Sequence, residues 1–237
     1  MSLLLTAAAF HLIMLVDKNR IRVAAREMCQ RRPLPFLVEL FYSPKRVHTC
    51  GKARHMNVMN TAAGYGWPAR LLHWLIVVLI VAQFVLANMA ESAESRMDMF
   101  KLFAQHKSVG ITIFALALVR LIWRLANTQP RLPMRTPTWQ MHVAKTTHWL
   151  LYALIFALPI TGVLGSAANN YPVTWFGMFT VPPLIGSNEA LADTLHETHE
   201  ILAAALFCLA MLHILAALKH HFYHKDNVLR RMIRQVN

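Results

Sequence analysis

Charge is scarce in this sequence. Only 15% of its 237 residues are Asp, Glu, Lys or Arg, 56% are hydrophobic, and mean hydropathy is positive at +0.39. Such a chain is too apolar for an ordinary soluble domain, so a membrane protein is expected. Cysteine is scarcer still. Cys29 and Cys50 lie in a basic N-terminal stretch, Cys208 lies in an apolar run, and no CxxC or CxxCH occurs. This argues against a disulfide framework and against covalent c-type haem. There is no Gly-rich phosphate loop. "HETHE" spaces its two histidines three apart, where the zinc-protease signature needs four. The paired Glu-x-x-His motifs of a di-iron bundle are missing as well.

What the chain does have is four long apolar runs, roughly Leu71 to Ala90, Val109 to Trp123, Trp149 to Ala168 and Ile201 to Leu218. Each approaches the roughly 20 residues that cross a hydrocarbon core. The second is short, but a helix there could begin upstream near Phe100, with Arg120 and Arg124 snorkelling from its far end. Pro159 falls inside the third, where neighbouring helices can satisfy the freed carbonyl. The expected fold is all-α, a bundle of four transmembrane helices.

Lys and Arg number 24 against 11 acidic residues, and their placement is uneven. Ten lie between 17 and 55, Arg70 precedes the first run, the second connection holds Arg131, Arg135 and Lys145 after Arg124, and five more follow position 218. The long third connection, 169 to 198, holds none. The positive-inside rule then places both termini and the second connection in the cytoplasm of a bacterial inner membrane. The basic surplus reports topology and contact with membrane lipid; nucleic-acid binding is not expected.

Residues 1 to 55 fit the rest poorly. "MSLLLTAAAFHLIMLV" is too short to span comfortably and lacks the basic n-region of a secretory signal. An extension without a defined function, such as an upstream start would add, is expected there, with a membrane-surface amphipathic anchor as the alternative. Residues 56 to 237 form the four-helix domain.

The histidines carry the chemistry. Residues 196 to 227 hold six, beside or within the fourth apolar run. Polar groups at such depth are costly and are usually retained for a function. His199 and His213 are fourteen apart, four turns less about 40°, so they share one helix face with roughly 21 Å of axis between them. Ala203, Leu206, Ala210 and Ala217 continue that stripe, and small residues there leave room for a flat macrocycle. Gly110, one turn after His106, reads the same way, although close helix packing also uses small residues. His106 lies near the outer start of the second helix and His73 near the inner start of the first, so His199 can face His106 and His213 can face His73. Two bis-histidine sites, one per leaflet, match what a b-type haem requires: two imidazoles on opposite faces of the iron in a dry pocket. The expected cofactors are two haem b. His196, about 60° from His199, is the alternative ligand at the outer end. His148 is the alternative partner at the inner end, or a quinone or propionate contact, or a plain interfacial histidine. Six-coordinate iron leaves no position for oxygen, which suits outer-sphere electron transfer.

In order, "RLLHW", "HKSVGITIFALALVRLIWR", "HWLLYALIFALPITGVL" and "HETHEILAAALFCLAMLHILAALKHHFYHKDN" strongly resemble the bacterial di-haem cytochrome b561 family, over about Tyr65 to Met232. The resemblance implies haem ligands at His73, His106, His199 and His213. It also implies electron transfer between a periplasmic donor and ubiquinone; one branch of the family is a superoxide oxidase. The alternative it offers is a cytochrome b subunit or partner serving a dehydrogenase or hydrogenase, with a donor protein in place of a small reductant. Arg96, Lys101 and Lys107 are the cations able to steer an anion such as superoxide toward the outer haem, but seven acidic residues share that side, and Lys101 and Lys107 could equally pair with acids or propionates. Arg70, His148 and His220 are the expected quinone or propionate contacts. Trp67, Trp74, Trp123 and Trp149 fit an interfacial aromatic belt. The aromatic, Pro-containing third connection is expected on the membrane face, covering the outer haem or docking a donor.

Overall fold

A computed structural model describes residues 58–130 and 137–234. The extension, and Arg131 and Arg135, lie outside the described residues. Four helices long and apolar enough to cross a membrane are present: α1 (Trp67–Glu91), α2 (Arg96–Ala126), α3 (Thr138–Ala168) and α4 (Glu189–Phe222). A β-hairpin, β1 (Val173–Trp175) and β2 (Phe179–Val181), sits between α3 and α4, and a short α5 (Arg230–Ile233) follows.

The helices outrun the apolar stretches, because hydropathy marks the hydrocarbon core while capping residues mark the ends. Pro68 opens the first turn of α1 after Gly66. The Ser95 hydroxyl accepts from Asp98 N at 3.3 Å to start α2, and Asn188 Oδ1 accepts from Leu191 N at 3.0 Å to start α4. Pro137 precedes α3, which therefore starts well before Trp149. As a result α2 is no short span, and the third connection ends at 188 rather than 198. His106 and His199, expected at helix starts, lie about 15 Å inside α2 and α4.

The short 92–95 connection makes α1 and α2 antiparallel neighbours. α1 packs closely on α2, and α3 on α4, with α2 and α3 joining the two hairpins. Among the described residues, no comparable packing joins α1 to α4; Phe84 and Phe207 reach across, edge to face, at 5.7 Å. The buried hydrophobic residues are largely small, including Ala90, Ala117, Ala167, Ala168 and Ala192, and no large side chain among the described residues is fully buried. Ile76, Ile113, Tyr152, Val173 and Leu206 are the larger members of that core.

The hairpin turns through Phe176 and Gly177, both at positive φ (46° and 74°), and Met178 N donates to Trp175 O at 2.9 Å. A primed turn matches strand twist, but an aromatic at positive φ is strained. Ser108 on α2 holds it: its Oγ accepts from Phe176 N at 3.0 Å and lies 3.0 Å from Thr174 O and 2.8 Å from Ala104 O. Trp175 Nε1 donates to Thr112 Oγ1 one turn along, at 3.0 Å. Ser108→Ala is expected to cost about 1–3 kcal/mol. A lower thermal midpoint and faster protease cleavage within 169–188 would register the loosened clamp.

Candidate functional site

One face of α4 is the covered one. His199, Ala203, Leu206, Ala210, His213, Ala217 and His220 are buried or half-buried, while Ala204, Phe207, Leu212 and Leu215 are exposed. This is the spacing of a single helical stripe, and it carries both histidines.

At the His199 end the rings of His199 and His106 stand 6.2 Å apart, centroid to centroid, with planes at 65°. Two imidazoles gripping one metal ion, with bonds of about 2 Å on each side, have centroids roughly 6 Å apart. His199 Nδ1 lies 3.0 Å from Leu158 O and 3.1 Å from Thr161 Oγ1 on α3. A carbonyl can only accept, so Nδ1 carries the hydrogen and Nε2 is left as the coordinating nitrogen. Gly162 makes the approach possible: a Cβ there would meet His199 Cε1 at 3.3 Å. His106 Nδ1, by contrast, is buried and makes no hydrogen bond of good geometry, although the Gln83 backbone of α1 is close enough to interact with the ring.

Gly110 has a different role from the one its spacing suggests. A Cβ there would meet Gln83 Nε2 of α1 at 3.0 Å, so its missing side chain makes room for an amide and not for a macrocycle. Gln83 Oε1 is itself buried and unpartnered among the described residues.

At the other end, the ring nearest His213 is His148, at 5.2 Å and 76°. That separation is short for a shared metal and is a direct edge-to-face contact. His148 Nδ1 bonds to Ala144 O of its own helix at 2.6 Å. His73 packs on Trp74 at 5.3 Å and lies within electrostatic reach of His213, His148 and Arg120. α2 continues to Ala126, so position 120 is still inside the bundle, and its Nη1 donates to Ala69 O of α1 at 2.9 Å. Arg124 lies over the Tyr152 ring, 5.9 Å from its centroid.

The remaining expected residues are dispersed. His196 is exposed and 3.2 Å from Glu200 Oε1, away from His106. Lys101 pairs with Asp98 at 3.2 Å, Lys107 sits over the Tyr171 ring at 5.6 Å, and Arg96 is exposed. Arg70 Nη1 donates to Ile233 O at 3.4 Å, and Trp74, more than an interfacial aromatic, donates from Nε1 to Met232 O at 2.9 Å. Both fasten the C-terminal segment to α1. His220 Nδ1 is 2.6 Å from Asp226 Oδ2. Spacing along one helix gives no sign of Thr161, Gly162 or Arg120, whose relations to the histidines run between helices.

The paired imidazoles, the apolar surroundings, the small-residue interior and the fixed Nε2 of His199 fit a non-covalent bis-histidine haem. The family model for prokaryotic cytochrome b561 matches residues 64–235. Cytochrome b561 homolog 2 of Escherichia coli (strain K12) is 33% identical over 180 residues, covering 75% of this chain and 95% of that protein. A probable superoxide oxidase, CybB, of Yersinia pestis is 32% identical over 163 residues, covering 68% and 91%. Cytochrome b561 homolog 1 of Escherichia coli (strain K12) is 28% identical over 163 residues, covering 68% and 92%.

Proposed function

The chain belongs to the prokaryotic cytochrome b561 family of membrane b-type cytochromes, and from that premise we propose that it carries electrons across the bacterial inner membrane, from a periplasmic donor to ubiquinone, using two haem b. His106 and His199 hold one haem, and His73 and His213 hold the other. The observation that carries this reading is the 6.2 Å opposition of His106 and His199. When bound, each haem would supply a one-electron couple. The uneven basic charge supports an orientation with both termini cytoplasmic and the His199 end outward.

The chain's own residues set the conditions. α3 fixes the His199 ring through Leu158 O and Thr161. Around the inner pair, Arg120 supplies the positive charge that a haem propionate would need. Of the quinone contacts expected, Arg70 is occupied by the C-terminal segment, while His220, oriented by Asp226, stays available to move a proton. Superoxide as donor is supported by the name of the Yersinia pestis relative. The reaction balances when two superoxide anions each give up one electron to become dioxygen, and ubiquinone takes both electrons and two protons to become ubiquinol. Lys107 sits over the Tyr171 ring, while Arg96 and Lys101 are both exposed, Lys101 beside Asp98, and are the cations among the three placed to attract the anion.

The test supplies enzymatically generated superoxide and ubiquinone to the purified, haem-loaded protein. Quinol formation well above the protein-free rate is expected. Intact haems without quinol formation would instead favour a donor protein, for which the exposed apolar tip of the hairpin, Phe176, Met178 and Phe179, is the feature to probe.

A further inference from the structure

The two imidazoles at the His199 end are held unequally. His106 Nδ1 is buried and makes no hydrogen bond of good geometry, with only the Gln83 backbone close enough to interact with its ring, whereas His199 Nδ1 has two oxygens within 3.1 Å. Leu158 O is one. The other, Thr161 Oγ1, brings a hydroxyl into the membrane interior beside a proposed iron ligand.

The direction of each hydrogen bond follows from counting protons. Thr161 has a single hydroxyl hydrogen, and its Oγ1 lies 3.1 Å from Ala157 O and 3.0 Å from Leu158 O, both carbonyls of its own helix. Those oxygens can only accept, so the hydroxyl hydrogen is spent on them. A lone pair of Oγ1 is left facing His199, and Nδ1–H is shared between the hydroxyl and the Leu158 carbonyl. Gly162 keeps the ring pressed against this edge of α3, since any Cβ would crowd Cε1 at 3.3 Å and Nδ1 at 3.5 Å.

We propose that Thr161 is a positioning residue for His199: its hydroxyl, accepting from Nδ1–H, fixes the ring and enriches Nε2 in electron density, lowering the reduction potential of the haem at the His106/His199 site. The inference rests on the proposed haem ligation. A hydrogen bond from a ligand's distal nitrogen raises that ligand's basicity and favours the more positive metal. Among the four proposed ligands Thr161 is bonded to His199 alone, so the tuning falls on one side of one site, and the His73/His213 site is untouched.

The experiment compares wild type, Thr161→Val and Thr161→Ser, each purified with haem and titrated electrochemically while the two haems are followed by their optical bands. Thr161→Val keeps the shape and removes the acceptor. Losing one net hydrogen bond, about 1 kcal/mol, moves the oxidised-to-reduced equilibrium of one haem severalfold toward the reduced form. The upper bound is about tenfold, or about 59 mV for a one-electron couple. Thr161→Ser, which keeps the hydroxyl, is expected to stay near wild type. The haem that shifts must be the one lost in His199→Ala. An unmoved potential in Thr161→Val, an equal shift of both haems, or a Thr161→Ser value matching Thr161→Val overturns the proposal while the haem ligation stands. If Thr161→Val does not fold, Thr161→Ser and Thr161→Ala carry the same contrast of hydroxyl kept and hydroxyl lost. A wild-type protein without haem overturns the ligation reading and this inference with it.

Discussion

Replacing His199 by alanine is expected to remove one of two haems and leave the other with an intact low-spin spectrum. His199 is the ligand whose geometry is most completely specified: its ring faces His106 at 6.2 Å and its Nδ1 is tied to α3. Alanine takes away an axial bond and leaves a gap that water or nothing fills, so affinity for that haem collapses while the other site, about 21 Å along the helix axis, is spared. His106→Ala is expected to give the same result, because each removes one half of the same clamp. Haem per chain, measured on detergent-purified protein, checks both. Loss of both haems from a well-folded His199→Ala protein would mean that the sites are not independent.

The second large effect concerns the inner site, where three histidines gather. His73→Ala is expected to strip the inner haem as completely as His213→Ala does, while His148→Ala keeps it. The reason is distance. His148 and His213 touch edge to face at 5.2 Å, shorter than the roughly 6 Å of a metal-bridging pair, and His148 Nδ1 is tied to its own helix through Ala144 O. His73 comes from α1, which packs mainly on α2 rather than on α4. Spectra and haem counts of the three alanine variants decide the matter. Retention of the inner haem in His73→Ala together with its loss in His148→Ala would move the ligand from α1 to α3.

Much of this was legible in one dimension. The covered stripe of α4, from His199 through Leu206 to His213, follows from a period that any helix imposes, and four apolar runs follow from the thickness of a bilayer. Helix ends were less legible, because Ser95, Pro137 and Asn188 start helices well outside the apolar windows. Relations between helices were not legible at all. Only the fold brings Gln83 of α1 against Gly110 and Ala69 O of α1 against Arg120. Likewise "LPITG" shows a kink at Pro159, and only the fold brings Thr161 and Gly162 against His199. The hairpin hides for a similar reason: a turn through an aromatic at positive φ is disfavoured locally, and Ser108, some 68 residues away in sequence, holds it.

The most direct test of the central claim is a dithionite-reduced minus oxidised optical spectrum of the purified protein, with haem counted per chain. The account predicts close to two haems per chain, non-covalently bound, with the sharp band of low-spin, bis-imidazole b-type iron. A well-folded protein with no haem, or with high-spin iron open to exogenous ligands, would contradict it.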